Sequence, residues 1–325
     1  MKAGHDVAII EVGPRDGLQN VTAFVETAQK ISLIRRLTAS GLKEIQAGAF
    51  VSPLSIPQFQ DMKEVAAGIM ALRSVRFSAL VPNLRGARAA VKSGFEKLIF
   101  FFSLSESHNF NNVRQTKEAS LKELEAIQRD LAAETPVELC VALATVFGCP
   151  FEGRLITGHI LKDICNLANM GIKEITLCDT VGFGNPGQVE EITAACLRDF
   201  PEVDFAVHFH NTRGLGLANA LRAYDVGVRR FDAALGGLGG CPFAPGASGN
   251  IATEDLVFMF NEMGIQTGID LESLLNVSAY LKEILPGVAL SSAVYRAGLP
   301  KAQTSGRSCG APGGNPPFPA HQEWG

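Results

Sequence analysis

Eight short apolar runs, each followed by a longer stretch of helical periodicity, constrain this chain more than any other feature. The runs are AIIEV (8–12), EIQAGAF (44–50), RFSALV (76–81), KLIFFFS (97–103), VELCVALA (137–144), EITLCD (174–179), DFAVHFH (204–210) and RRFDAAL (229–235). Between them, segments such as ETAQKISLIRRLTAS and SLKELEAIQRDLAAE place apolar residues three and four apart, as an amphipathic helix requires. Strands read as continuous apolar runs when helices cover a parallel sheet, and eight βα units close naturally into an α/β fold of the (β/α)8 TIM-barrel type. An open doubly wound sheet is the competing architecture. Two further helical patterns, ATEDLVFMFNEMG and DLESLLNVSAYLKEIL, follow the eighth unit. We expect a catalytic barrel over 1–285, including a loop at 236–250, and an extension over 286–325 that its Gly, Pro and Ser make largely irregular or disordered.

Composition narrows the classes. With 46% hydrophobic and 19% charged residues, the 325-residue chain has the balance of a globular protein with a large core. A formal net charge of −4, with acids and bases interspersed, argues against a nucleic-acid partner. No apolar stretch reaches the ~18 residues of a membrane span. The first strand-like run begins at Val7, which leaves no room for a leader and predicts a cytoplasmic protein. Seven cysteines, with no CxxC pair, lie mostly in apolar runs and read as small buried hydrophobes in a reducing compartment.

Active sites of this fold lie at the C-terminal ends of the strands. Strand 1 ends in EVGPRDGLQN, which places Arg15, Asp16 and Gln19 on the first loop. Strand 2 ends near Gln46, strand 6 presents Asp179 and Thr180, and strand 7 carries His208 and His210 on one face because strand side chains alternate. Strand 8 leads into GGLGGCPFAPGASGN, with Cys241 and Asn250. Each residue also has a plainer reading. An Asp after a strand is often a helix N-cap, a His is often a satisfied structural residue, Asn250 could serve loop backbone, and Cys241 could be one more buried thiol. The convergence favours chemistry: Asp, two His and an amide oxygen form a mixed N/O set suited to Mg2+ or Mn2+, where thiolates would favour structural zinc. Such an ion polarises a substrate oxygen, Arg15 stabilises a neighbouring oxyanion, and a thiol on a glycine-rich loop can protonate the resulting carbanion. That machinery suits carbon–carbon cleavage or formation beside a carbonyl.

The motifs EVGPRDGLQN, FVSP, GCPFEG, LCDTVGFGNPG, HFHNTRGLGLANA and GGLGGCPFAPGASGNIATEDLV, in this order from about residue 7 to 285, resemble the 3-hydroxy-3-methylglutaryl-CoA lyase family. The resemblance implies metal ligands at Asp16, His208, His210 and Asn250, a catalytic arginine at Arg15 and a loop cysteine at Cys241. It also implies retro-Claisen cleavage of the acyl-CoA to acetoacetate and acetyl-CoA, as in leucine degradation, with His208 as a candidate base or relay. Gln19, Gln46, Asp179, Thr180 and Arg213 join Arg15 as candidate substrate contacts. A homodimer or higher homo-oligomer is the default expectation.

Three departures from the family pattern stand out. Gln46 occupies a position where the family usually has glutamate, with Ala49 in place of serine; Gln46 keeps hydrogen-bond reach but cannot pair ionically with Arg15. HFHNTRG has Asn211 where the family often has aspartate, and adds Arg213 as a possible anion contact. The C-terminal tail has no counterpart. A less negative mouth allows citramalyl-CoA or a longer 3-hydroxy-3-alkylglutaryl-CoA as the alternative substrate. A condensing enzyme of the isopropylmalate synthase kind and a catalytically silent barrel that binds acyl-CoA are the readings from other classes. Coenzyme A contacts are not located, although Asn20, Ser105, Ser107 and His108 lie on plausible loops.

Overall fold

The computed structural model describes residues 6–131, 137–240 and 249–300. The strands β1 (Ala8–Glu11), β2 (Glu44–Ala49), β3 (Arg76–Val81), β4 (Lys97–Ser103), β5 (Glu138–Ala144), β6 (Glu174–Asp179), β7 (Asp204–Phe209) and β8 (Arg230–Ala233) form one closed barrel in sequence order, every neighbouring pair parallel. Around it run α1 (Thr27–Ala39), α2 (Met62–Ile69), α3 (Leu84–Lys92), α4 (Glu106–Val113), α5 (Lys117–Leu131), α6 (Thr157–Asn169), α7 (Pro186–Asp199) and α8 (Gly216–Val226). After β8 come α9 (Thr253–Glu262), α10 (Leu271–Ile284) and α11 (Ala293–Ala297). The open doubly wound alternative is excluded by the pairing of β1 with β8. Among the described residues no helix is long and apolar enough to cross a membrane.

Local chemistry sets the helix starts. Asn83, Ser105, Asn185 and Asp270 each accept a backbone N–H from the first turn of α3, α4, α7 and α10, and Pro186 opens α7 with its fixed φ. The main apolar core lies between strands and helices, while a smaller cluster of Ile99, Cys140, Ala142 and Cys178 fills the barrel interior. Of the described cysteines, Cys140, Cys149, Cys178 and Cys196 are buried as expected and Cys165 is exposed.

The N-terminal end of the barrel is closed by charge. Lys97 of β4, fully buried, is paired with Glu44 of β2 and, at 2.7 Å, with Glu174 of β6. Arg230 of β8 bridges the same two carboxylates at 2.9 and 3.1 Å. One residue from each even strand thus forms a four-membered layer, the arrangement that barrel interiors adopt. Of the expected extension 286–325, residues 286–300 are described. They are mostly irregular, and they dock on the strand-8 loop through Ser291 N–H to Gly236 O at 2.8 Å.

Candidate active site

A π-helical turn, Gly13–Gly17, follows β1 and carries Arg15 and Asp16, both buried. Asp16 is the hub. It accepts hydrogen bonds from Arg15, from Gln19 Nε2 at 2.8 Å and from Asn250 Nδ2 at 2.7 Å. His210 Nε2 lies 3.9 Å from its second oxygen, and the His208 and His210 rings are 5.2 Å apart. Asp16, His208 and His210 each offer a ligand atom within 4.8 Å of the others. Asn250 joins them because a backbone bridge sets it beside His210. Asn20 Nδ2 donates to the Asp16 carbonyl oxygen at 3.3 Å, tightening the turn.

These residues suit a divalent cation. His210 Nε2 faces Asp16 Oδ2 at 3.9 Å, beyond hydrogen-bond distance and in place to act as a ligand, while its buried Nδ1 has no hydrogen-bond partner among the described residues. His208 gives Nδ1 to Asp232 Oδ2 at 3.1 Å, leaving Nε2 toward the site, in the carboxylate–histidine arrangement that orients metal ligands. Burial, the neighbouring His208 and Arg15 lower the His210 pKa to about 4 against the pull of Asp16, so its lone pair is available at neutral pH. Burial disfavours the charged form of Asp16, but Arg15, both imidazoles and the Asn250 amide outweigh it and hold the carboxyl well below the usual range.

Arg15 Nε donates to Gln46 Oε1 at 3.0 Å. Gln46 thus keeps the hydrogen bond and loses only the ion pair. It lies within β2 rather than at its end, because the pairing with β3 shifts register between Gln46 and Gly48 and the strand continues to Ala49. Asp179 is placed differently from the barrel-facing residues. Its oxygens accept N–H groups of Phe183 and Gly184 at 2.8 and 3.0 Å, shaping the turn into α7, and burial raises its pKa to about 6 against those bonds. Thr180 Oγ1 accepts from Thr145 N at 3.0 Å. Arg213 is tied to the same turn, with NH1 donating to the Val181 and Gly182 carbonyl oxygens and the guanidinium over the Phe183 ring. Asn211 Oδ1 accepts from Gly216 N at the start of α8. Ser105 caps α4 at His108 N and accepts from the Cys149 thiol at 3.0 Å, and Ser107 N donates to Glu152. Cys241 lies outside the described residues.

Three acidic residues went unnoticed in the sequence: Glu11, Asp232 and Glu254. Each is buried, and each stands as a carboxylate inside an apolar run, in AIIEV, RFDAAL and ATEDLV.

A closed barrel with acid, base and metal-suited donors at its C-terminal mouth defines the class: a TIM-barrel enzyme. The HMGL-like family matches residues 6–281. The chain is similar to a hydroxymethylglutaryl-CoA lyase of Bacillus subtilis (43% identity, 85% of this chain and 92% of the relative). It is also similar to an (R)-citramalyl-CoA lyase of Chloroflexus aurantiacus (40% identity, 90% and 95%). The solved structure of an HMG-CoA lyase from Acinetobacter baumannii, in complex with coenzyme A and 3-methylmalate, superposes with a TM-score of 0.86 at 44% identity over 95% of this chain and all of the other. The chain belongs to the HMGL-like family and is a carbon–carbon lyase of the hydroxymethylglutaryl-CoA lyase type.

Proposed function

We propose that this lyase cleaves 3-hydroxy-3-methylglutaryl-CoA to acetoacetate and acetyl-CoA at a site where Asp16, His208, His210 and Asn250 hold Mg2+ or Mn2+. The observation that carries the reading is the cluster of Asp16, His208 and His210 donors beside Arg15. A divalent ion there would polarise the C3 hydroxyl and a neighbouring carbonyl or carboxylate oxygen and lower the hydroxyl pKa. The protein's own residues divide the remaining work. Gln46 and Asp16 fix the Arg15 guanidinium, which neutralises the oxyanion of the acetyl-CoA enolate as the C2–C3 bond breaks. Cys241 delivers a proton to C2, replacing the one lost from the hydroxyl. His208, given to Asp232 through Nδ1, would hold the ion whose bound water takes the hydroxyl proton, and joins the proton path in that way. Gln19, Asp179, Thr180 and Arg213 shape the substrate side of the mouth.

A cytoplasmic, homo-oligomeric enzyme with a catalytic barrel over 1–285 completes this reading, and the free thiols at Cys140, Cys149, Cys165, Cys178 and Cys196 suit a reducing compartment. The second reading is the same chemistry on citramalyl-CoA, favoured by Gln46 and by the named activity of the Chloroflexus relative. The test is acetyl-CoA release from both acyl-CoAs by the Mg2+-loaded enzyme and by Gln46→Glu. We expect higher kcat/KM on 3-hydroxy-3-methylglutaryl-CoA in both proteins. A wild-type preference for citramalyl-CoA that reverses in Gln46→Glu supports the second reading instead.

A further inference from the structure

Glu11 is fully buried on β1, and no ion pair reaches it from any described residue. One carboxylate oxygen accepts both Gly13 N at 2.7 Å and Leu235 N at 2.9 Å; the other accepts Thr253 Oγ1 at 2.7 Å. These donors lie on three separate segments, and each segment leads within three residues to the site. Gly13 begins the turn that carries Arg15 and Asp16. Leu235 leads to Leu238, whose carbonyl oxygen accepts from Asn250 Nδ2 at 2.9 Å and whose side chain packs so closely that a Cβ on Gly17 would meet it. Thr253 follows Asn250 by three positions. Even the approach at Gly13 is adapted to the carboxylate, since any side chain there would collide with Glu11 Oε1.

A buried carboxylate costs free energy that an apolar side chain in the same place would not. Burial raises its pKa to about 8 despite the three hydrogen bonds. Its position is therefore explained by what it joins. We propose that Glu11 is a positioning residue of the metal site: it pins three segments to one carboxylate and so sets the spacing between Asp16 and Asn250. This rests on the reading of Asp16 and Asn250 as metal ligands.

The test is a Mn2+ titration followed by electron paramagnetic resonance, on the wild type, Glu11→Ala and Glu11→Gln, with melting temperatures and steady-state kinetics alongside. We expect Glu11→Ala to bind Mn2+ about tenfold or more weakly and to lose kcat, with the acyl-CoA KM held. Glu11→Gln recovers most of that loss, because its amide oxygen still accepts both N–H groups. Should Glu11→Ala fail to fold, Thr253→Val removes a single bond and shows a smaller weakening in the same direction. A folded Glu11→Ala or Thr253→Val with wild-type Mn2+ affinity overturns the proposal, as does a Glu11→Gln no better than Glu11→Ala. A wild type that binds no Mn2+ overturns the metal-site reading, and this proposal with it.

Discussion

Arg15 shows how much of the site's character is settled by single side chains. Its Nε and NH1 are engaged by Gln46 and Asp16, so the guanidinium arrives oriented, and the only carboxylate paired with it among the described residues is a candidate metal ligand. The titration of the buried acids follows from their surroundings in the same way. Burial raises Glu11 from the usual 4.5 to about 8, Glu254 to about 7 and Asp179 to about 6. A carboxyl whose pKa is higher in the fold than in the unfolded chain takes up a proton on folding. Its stabilisation is complete below its ordinary pKa and is lost as pH rises through the folded value. Asp16 works in the opposite sense and is lost only toward strong acid. Metal-free protein is therefore expected to have a higher urea midpoint near pH 5.5 than near pH 8.5. Glu11→Gln should flatten that decline by about 3 kcal/mol at most, since about 2.5 pH units separate pH 5.5 from the folded value near 8 and each corresponds to about 1.4 kcal/mol. A midpoint that rises across this range contradicts the assignment. Arg15, Asp16, His208 and His210 were legible because strand ends place them at one mouth; Glu11 and Asp232 were not, because the partners that give them a role, Leu235 and Thr253 for Glu11 and His208 for Asp232, lie on other segments that only the folded barrel brings together.

At the level of elements, the apolar runs predict the strands to within one or two residues at each end. β8 is shorter than the run 229–235, since Leu235–Gly237 turns back under Glu11 and Glu254. Run patterns report which residues are buried but not which strands face each other across the barrel. The layer of Glu44, Lys97, Glu174 and Arg230 was therefore hidden, although a charged residue opens each of those strands. Removing its central cation leaves two buried carboxylates sharing one arginine. Lys97→Met is expected to cost about 3–5 kcal/mol in urea unfolding, with kcat of the folded enzyme retained because the layer lies at the opposite end from the site. An unchanged midpoint contradicts that role. The glycines of the strand-8 loop have a specific cause at its neck. Gly239 and Gly249 pack backbone against backbone, and a Cβ on Gly239 would come within 2.6 Å of Asn250 Nδ2.

For the molecule as a whole, eight repeats of one βα unit left little freedom, and the closed barrel follows from them. The repeats also orient every strand the same way, so the residues at their C-terminal ends meet at one rim and the ionic layer at the other. What the repeat cannot specify is how the loops between units are tied to each other. Glu11 joins the loops after β1 and β8 and the start of α9, Glu254 accepts Gly236 N and the Ser278 hydroxyl, and Ser291 holds the same loop from the C-terminal segment. We propose a metal centre of Asp16, His208 and His210 that cleaves an acyl-CoA beside Arg15. Its most direct test is acetyl-CoA release from 3-hydroxy-3-methylglutaryl-CoA by chelator-stripped protein, before and after restoring Mg2+ or Mn2+, with His208→Ala alongside. Cleavage is expected to vanish on stripping, to return with either ion and to stay absent in His208→Ala. Equal cleavage with and without metal, or none under any condition, would contradict it.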